Sequence, residues 1–126
     1  MTRVLVCGGR GLMDLGLVWG QLDAFHAIEG PISVVIHGGA KGADSLADSW
    51  AYRNGVPAQP YPVSDAEWKR HGKRAGPMRN RWMLADGKPD IVIAFPGGLG
   101  TANMISQARA AEVKVQLIED AMGGRR

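Results

Sequence analysis

Apolar residues along the chain fall into two kinds of segment. Short, continuous apolar runs are typical of buried strands, whereas longer segments with apolar residues every three or four positions are typical of helices. The predicted strands span residues 3–8, 33–39, 56–62, 90–98 and 113–120. The predicted helices span residues 16–30, 43–55, 75–87 and 101–112. Prolines in 56–62 limit that segment to a weak edge strand, and residues 63–74 predict a charged loop, with or without a helical turn.

Strands that are apolar throughout and alternate with helices predict a parallel sheet that is covered on both faces. Right-handed crossovers then restrict the topology to a doubly wound arrangement. We therefore expect a single Rossmann-like, three-layer α/β domain over residues 1–120, with about five parallel strands and helices on both faces. Residues 121–126 are expected to form a frayed tail.

Composition supports one folded domain. The chain has 126 residues, of which 45% are hydrophobic and 21% charged, as in an ordinary globular protein. Its longest apolar runs are too short to span a bilayer, so no membrane contact is expected. One cysteine excludes an internal disulfide, and residues 1–9 lack the layout of a signal peptide. Both observations predict a cytoplasmic protein.

Positive charge is concentrated in residues 68–81, although the net charge of the chain is only +3. The segment contains six basic residues and no acidic one: Lys69, Arg70, Lys73, Arg74, Arg79 and Arg81. Such a cluster predicts either an anionic partner nearby or a solvated basic loop.

Glycines follow three of the predicted strands, in the segments 7–11, 37–42 and 96–101. The carboxyl ends of parallel strands meet at one sheet edge, where helix N-termini also offer N–H groups to phosphates. We therefore predict a ligand site there. Its loop residues would be Gly8, Gly9, Arg10, Gly38, Gly39, Lys41, Pro96, Gly97, Gly98, Gly100 and Thr101. No loop has the Walker spacing, which disfavours a P-loop NTPase. Asp14 occupies the third glycine position of the dinucleotide fingerprint, which disfavours a plain NAD enzyme.

Other polar and aromatic residues near these loops have more than one interpretation. Arg79 could clamp a phosphate or form a surface ion pair, and Asp44 could bind a ribose, act as an acid or favour the helix N-terminus electrostatically. Thr101 could bind phosphate or cap its helix, and Asn80 could bind a base or ribose. Trp68 and Trp82 could stack on a base, although packing is the favoured role for Trp82.

Metal-ligand spacing is lacking in this chain. His37 and His71 are not spaced as metal ligands with each other or with Cys7. We therefore predict no metal and no cofactor. Cys7, at the end of a strand, is interpreted as a small buried apolar residue rather than a nucleophile.

Three segments, 38–51, 75–83 and 93–101, together resemble the YspA-like (cpYpsA-related) branch of the SLOG superfamily. That superfamily also includes the LOG phosphoribohydrolases and the DprA/Smf DNA-processing proteins. The resemblance implies a Rossmann-like nucleotide-binding domain and a homo-oligomer. LOG enzymes carry a catalytic glutamate where this chain has Met104, and a lysine where it has Asn80, whereas Arg79 matches. A thioether can neither activate water nor stabilise positive charge, so LOG-type hydrolysis is not expected.

The resemblance and the glycine loops lead to one main functional hypothesis and two alternatives. The protein would bind a nucleotide or nucleotide-derived small molecule, such as an ADP-ribose-like or cyclic nucleotide signal, as a sensor or sequestering protein. Alternatively, it would be a nucleotide-processing enzyme in which Asp44 or Asp14 replaces the glutamate. A DprA-like role with single-stranded nucleic acid ranks third, since the chain lacks an aromatic stacking series.

Overall fold

The computed structural model describes residues 1–119, so the expected tail over residues 121–126 lies outside the described part. The five strands are β1 (Thr2–Cys7), β2 (Ile32–His37), β3 (Ala58–Pro60), β4 (Ile91–Ala94) and β5 (Lys114–Leu117). The helices are α1 (Leu15–Ile28), α2 (Ala43–Arg53), α3 (Asp65–His71), α4 (Ala75–Gly87) and α5 (Leu99–Ala110), with a 3₁₀ turn at Gly72–Arg74.

All five strands belong to one parallel sheet with the order β3-β2-β1-β4-β5. From β1 the chain first builds outward through β2 and β3, and it then returns to place β4 on the other side of β1. This reversal creates a topological switch point between the carboxyl ends of β1 and β4, where ligands bind in open α/β sheets. The prediction of a Rossmann-like parallel α/β domain is confirmed.

The sheet separates two apolar cores, as the alternation of strand side chains requires. On one face, Val4 and Val6 of β1 pack with α1 and α2, and Trp50 is the largest fully buried side chain there. On the other face, Leu5 packs with α4 and α5 around Met83. Helices therefore cover both faces, and the site at the sheet edge lies where the two cores end.

The segment 63–74, predicted as a charged loop with or without a helical turn, is more helical than expected, because it forms α3 and the 3₁₀ turn. Ser64 and Glu67 form a reciprocal capping box that starts α3, and neither α3 nor the turn contains a buried residue. A helix without an apolar face has no hydrophobic periodicity, so the Ser-x-x-Glu capping pattern was the one sequence signal that indicated α3. Across residues 1–119, every helix is too short or too polar to span a membrane.

Candidate functional site

A cleft of about 600 Å³ opens at the switch point, beside the carboxyl ends of β1 and β4. This volume is within the usual range for small-molecule sites. The loop after β1, the start of α2, the α3–α4 region and the first turns of α5 form its walls. Nine of the predicted site residues line it: Gly8, Gly9, Arg10, Asp44, Arg79, Asn80, Gly98, Gly100 and Thr101.

The remaining predicted residues lie outside the lining of this cleft. Gly38 bonds to two residues that do line it, Asp44 and Arg79, whereas the N–H of Gly39 donates to Nδ1 of His37 at 3.0 Å. The carbonyl of Pro96 accepts a hydrogen bond from the N–H of Gly9 at 2.9 Å. Gly97 packs beneath the same loop. Lys41 is exposed. Asp14 instead caps α1, where its Oδ1 accepts from the N–H of Leu17 at 2.9 Å, so the structure does not bring it to the cleft.

The first turn of α5 presents unpaired backbone donors beside the cleft. Gly98 is the N-cap of this helix and supplies no side-chain cap. Among residues 1–119, no acceptor pairs with the N–H groups of Leu99, Gly100 and Thr101. Thr101 is the third residue of the helix, so its alternative role as the N-cap is wrong. Free N–H groups at a helix start attract anions.

Arg79 reaches the cleft from α4 and is held by backbone rather than by a carboxylate. Its Nη1 donates to the carbonyl of Gly38 at 2.7 Å, and its Nε donates to Oδ1 of Asn80 at 3.2 Å. A side chain at position 38 would place its Cβ 2.6 Å from the guanidinium carbon, so this approach requires glycine. Burial lowers the pKa of Arg79, but a guanidinium stays protonated in proteins. Within the described chain no acid lies within ion-pair distance of it, which contradicts the surface ion-pair interpretation.

Asp44 lies in the first turn of α2 and is buried at the cleft wall. Its Oδ2 accepts from the N–H groups of Gly38 at 3.1 Å and Ala40 at 3.2 Å, which ties the second glycine loop to α2. Burial raises the pKa of this carboxyl, although the two N–H groups and nearby positive charges act in the opposite direction. The second glycine loop therefore positions Asp44 and Arg79.

The raised pKa of Asp44 predicts a pH-dependent stability difference for Asp44→Asn. The stability that the protonated carboxyl contributes is fully present below its ordinary pKa of 3.8 and is lost as the pH rises through the raised folded value. Asparagine does not ionise, and its amide oxygen can accept the same two hydrogen bonds. We expect the variant to gain stability relative to the wild type with increasing pH, as measured by urea unfolding from pH 4 to 7.

The matched control for this prediction is Asp90→Asn. Asp90 is an exposed residue whose Oδ2 also accepts a backbone hydrogen bond, from Arg3 at 2.8 Å. A difference between Asp44→Asn and the wild type that stays constant over the whole pH range would contradict the proposed effect of burial.

Asn80 is buried between α4 and α5, and its hydrogen bonds are made within the protein. Its Nδ2 donates to the carbonyl of Gly100 at 3.2 Å and to Oδ1 of Asn103 at 3.1 Å. With its Oδ1 bonded to Arg79, this amide has no free hydrogen to offer a base or ribose. Asn80 therefore anchors the first turn of α5 and orients Arg79.

Met104 and Cys7 are both buried, and Cys7 also lines the cleft. Met104 is 0% exposed and packs in the second core beside Met83 and Ala108, outside the lining of the cleft. Cys7 is buried at the end of β1, and burial raises the pKa of its thiol to about 12. A thiol with this pKa is protonated at neutral pH, which is unfavourable for a nucleophile.

Trp68 and Trp82, the two tryptophans considered for base stacking, occupy different surroundings. Trp68 of α3 lines the cleft, and the guanidinium carbon of Arg10 lies 5.4 Å from its ring centroid. Trp82 of α4 is 50% exposed and packs edge-on against Tyr61, outside the cleft. Only Trp68 is therefore placed to contact a ligand in the cleft.

Asn103 and Lys73 also line the cleft, although the sequence pattern predicted neither as a site residue. Lys73 belongs to the basic segment, whose other exposed members lie outside the lining: Lys69, Arg70, Arg74 and Arg81. Asn103 follows Gly100, a predicted site residue, by three residues, a helical spacing that places both on one side of α5. That spacing was the available signal.

Comparison with known proteins agrees with this architecture. The family model described as "YspA, cpYpsA-related SLOG family" matches residues 2–71, more than half of the chain. The Gene 61 protein of Mycobacterium phage D29 is 39% identical over 122 residues, which cover 91% of this chain and 94% of that protein.

Two solved structures share the fold. DNA processing protein A (DprA) from Streptococcus pneumoniae matches with a TM-score of 0.75 and 21% identity over 97% of this chain, which spans only 52% of that chain. The Moco carrier protein from Chlamydomonas reinhardtii matches with a TM-score of 0.59 and 16% identity, over 99% of this chain and 82% of its own. The family match and the phage relative carry the assignment: the chain belongs to the YspA, cpYpsA-related SLOG family.

Proposed function

We propose that the protein binds a nucleotide or nucleotide-derived small molecule in the cleft, and acts as a sensor or a sequestering protein. The ligand class is an ADP-ribose-like or cyclic nucleotide signal. One observation carries the proposal: within residues 1–119, a guanidinium with no carboxylate in ion-pair distance, unpaired helix N–H groups and a carboxyl group line the same cleft at the switch point.

Each part of a nucleotide has a chemical counterpart in this cleft. Phosphate oxygens suit the Arg79 guanidinium and the N–H groups at the start of α5. Ribose hydroxyls are hydrogen-bond donors, and the Asp44 carboxyl is an acceptor. A flat ring suits the face of Trp68. A ligand with all three parts uses the cleft better than phosphate alone.

A second candidate function is hydrolysis of the ligand with Asp44 as the acid. The raised pKa of the Asp44 carboxyl favours this alternative, because a carboxyl that keeps its proton to higher pH is better suited to act as a general acid. Its test is an assay for free base or ribose phosphate released from a nucleotide panel. Release that is lost in Asp44→Asn would support turnover, and no release by the wild type would support binding alone.

The first test of binding is mass spectrometry of small molecules released when the purified protein is denatured. Titration calorimetry with AMP, ADP-ribose and cyclic dinucleotides then measures affinity. A recovered or titratable nucleotide near one per subunit supports the proposal. Absence of any nucleotide in both measurements contradicts it, and steeply salt-dependent binding of single-stranded DNA in their place would favour the nucleic-acid alternative.

Replacing Arg10 is expected to weaken nucleotide binding without unfolding the protein. Arg10 is exposed at the cleft, and its side chain makes no hydrogen bond to the described residues. Loss of a charged hydrogen bond costs about 1.5–3 kcal/mol, so Arg10→Ala should reduce affinity about 10- to 100-fold. Arg109→Ala removes the same charge from the far end of α5 and should leave affinity unchanged. Equal affinities of the two variants would exclude Arg10 from the site.

A further inference from the structure

The side-chain oxygen of Asn103 accepts two hydrogen bonds from other residues of the protein. Its Oδ1 accepts from Nδ2 of Asn80 at 3.1 Å and from Nε2 of Gln107 at 2.8 Å. Two donors therefore converge on one oxygen from two sides, one from α4 and one from the next turn of α5.

Backbone carbonyl groups determine which atom of each amide takes part. Nδ2 of Asn80 also donates to the carbonyl of Gly100 at 3.2 Å, and Nε2 of Gln107 also donates to the carbonyl of Pro77 at 3.0 Å. A carbonyl oxygen only accepts, so turning either amide over would bring two oxygens together. Both neighbours must present nitrogen to Asn103, and Asn103 must present oxygen to them.

The NH₂ group of Asn103 consequently lies on the other side of its amide. Within residues 1–119 this nitrogen has no acceptor, and Asn103 is a partly buried residue of the cleft wall. We propose that Asn103 binds the ligand by donating a hydrogen bond from Nδ2 into the cleft. This inference rests on the proposed function and deepens it, since it requires the ligand to present an acceptor at this wall.

The positive charge near Asn103 indicates which kind of hydrogen-bond acceptor the ligand presents to it. Arg79 is joined to the same network through Oδ1 of Asn80, and its guanidinium has no carboxylate partner within ion-pair distance in the described part of the chain. An amide donor beside a positive charge suits an anionic oxygen better than a neutral one. The acceptor is therefore a phosphate oxygen of the nucleotide.

Asn103→Asp separates this role from a structural one. An aspartate can accept from Asn80 and Gln107 exactly as the asparagine does, but it replaces the NH₂ donor with a second carboxylate oxygen. The hydrogen bonds from Asn80 and Gln107 are kept, while the group that faces the cleft changes from an NH₂ donor to an anionic oxygen. Ser106→Asp is the matched control, because it adds the same charge at an exposed position of α5 outside the cleft.

Calorimetry with ADP-ribose and with inorganic pyrophosphate is the test, alongside thermal melting of each variant. We expect Asn103→Asp to melt near the wild-type temperature and to lose affinity by about 10- to 100-fold for the probe that the wild type binds, and Ser106→Asp to bind within about twofold of the wild type. Asn103→Ala removes the donor without adding charge and should weaken binding about 3- to 10-fold. This neutral variant keeps the proposal falsifiable if Asn103→Asp fails to fold.

The outcomes separate this inference from the function on which it rests. Wild-type affinity in a folded Asn103→Asp or Asn103→Ala variant overturns the role of Asn103 and leaves nucleotide binding in place. Failure of the wild type to bind AMP, ADP-ribose, cyclic dinucleotides and pyrophosphate overturns the proposed function and this inference with it.

Discussion

Gly42→Ala is expected to lower the free energy of unfolding by about 3–5 kcal/mol and the melting temperature by about 10–20 °C. Gly42 precedes α2 with φ +76° and ψ −126°, a conformation that is strongly unfavourable for every residue except glycine. An added Cβ would also overlap the carbonyl of Gly9 and lie 2.6 Å from the carbonyl oxygen of Arg10.

The surrounding backbone has little freedom to relieve this overlap. The N–H of Ala43 donates to the carbonyl of Gly9 at 3.1 Å, so the loop after β1 is bonded directly to the start of α2. Moving the loop away would break that bond and displace Arg10 from the cleft. We therefore expect Gly42→Ala to lose ligand affinity together with stability.

Gly55→Ala is the matched control for backbone strain. Gly55 also has a positive φ, +67°, but an added Cβ would meet nothing within 4 Å. Strain alone should cost about 1–2 kcal/mol. Urea unfolding of both variants measures the difference, which reports the steric clash between the loop after β1 and α2. Equal losses of stability in the two variants would show that the loop after β1 and the start of α2 are not in close contact.

Met104→Glu is expected to destabilise the protein by about 3–5 kcal/mol rather than to create a LOG-type hydrolase. The position matches the catalytic glutamate of the LOG enzymes that the sequence resembles, so the substitution restores their motif. In this fold, however, Met104 is 0% exposed and lies among apolar side chains that include Met83 and Ala108. A carboxylate there would be desolvated without a positive partner.

The control for this substitution is Met104→Leu, which conserves volume and should cost less than about 1.5 kcal/mol. Urea unfolding measures both variants, and chromatography of AMP after incubation with Met104→Glu measures release of adenine. A stable Met104→Glu protein that releases adenine would show that the side chain at position 104 reaches the cleft.

Local sequence patterns were sufficient for the fold. Apolar runs such as 33–39 predicted parallel strands because both faces of each central strand are covered, and the helical spacing in 75–87 predicted α4 with its observed bounds. Glycines after β1, β2 and β4 predicted the position of the site, since parallel strands bring their carboxyl ends to one edge whatever the details of packing.

Which residues face the cleft depends on contacts between distant segments. The loop after β2 has the same glycine pattern as the other two, yet Gly38 bonds to Arg79 and Asp44 from outside the lining, and Lys41 is exposed outside it. Such roles depend on contacts between segments far apart in the chain, such as the Arg79–Gly38 hydrogen bond. Spacing within one segment carries no information about them.

Asn103 and Met104 show the same limit within a single helix. Successive residues of an α-helix are rotated by about 100°, so these two neighbours point in different directions, one lining the cleft and the other filling the core. Residue patterns alone predicted that a helix follows the third glycine loop. The packing of α5 against α4 and the sheet decided which side of that helix faces the cleft, because burial of Met104 and the bonds of Asn80 fix its rotation.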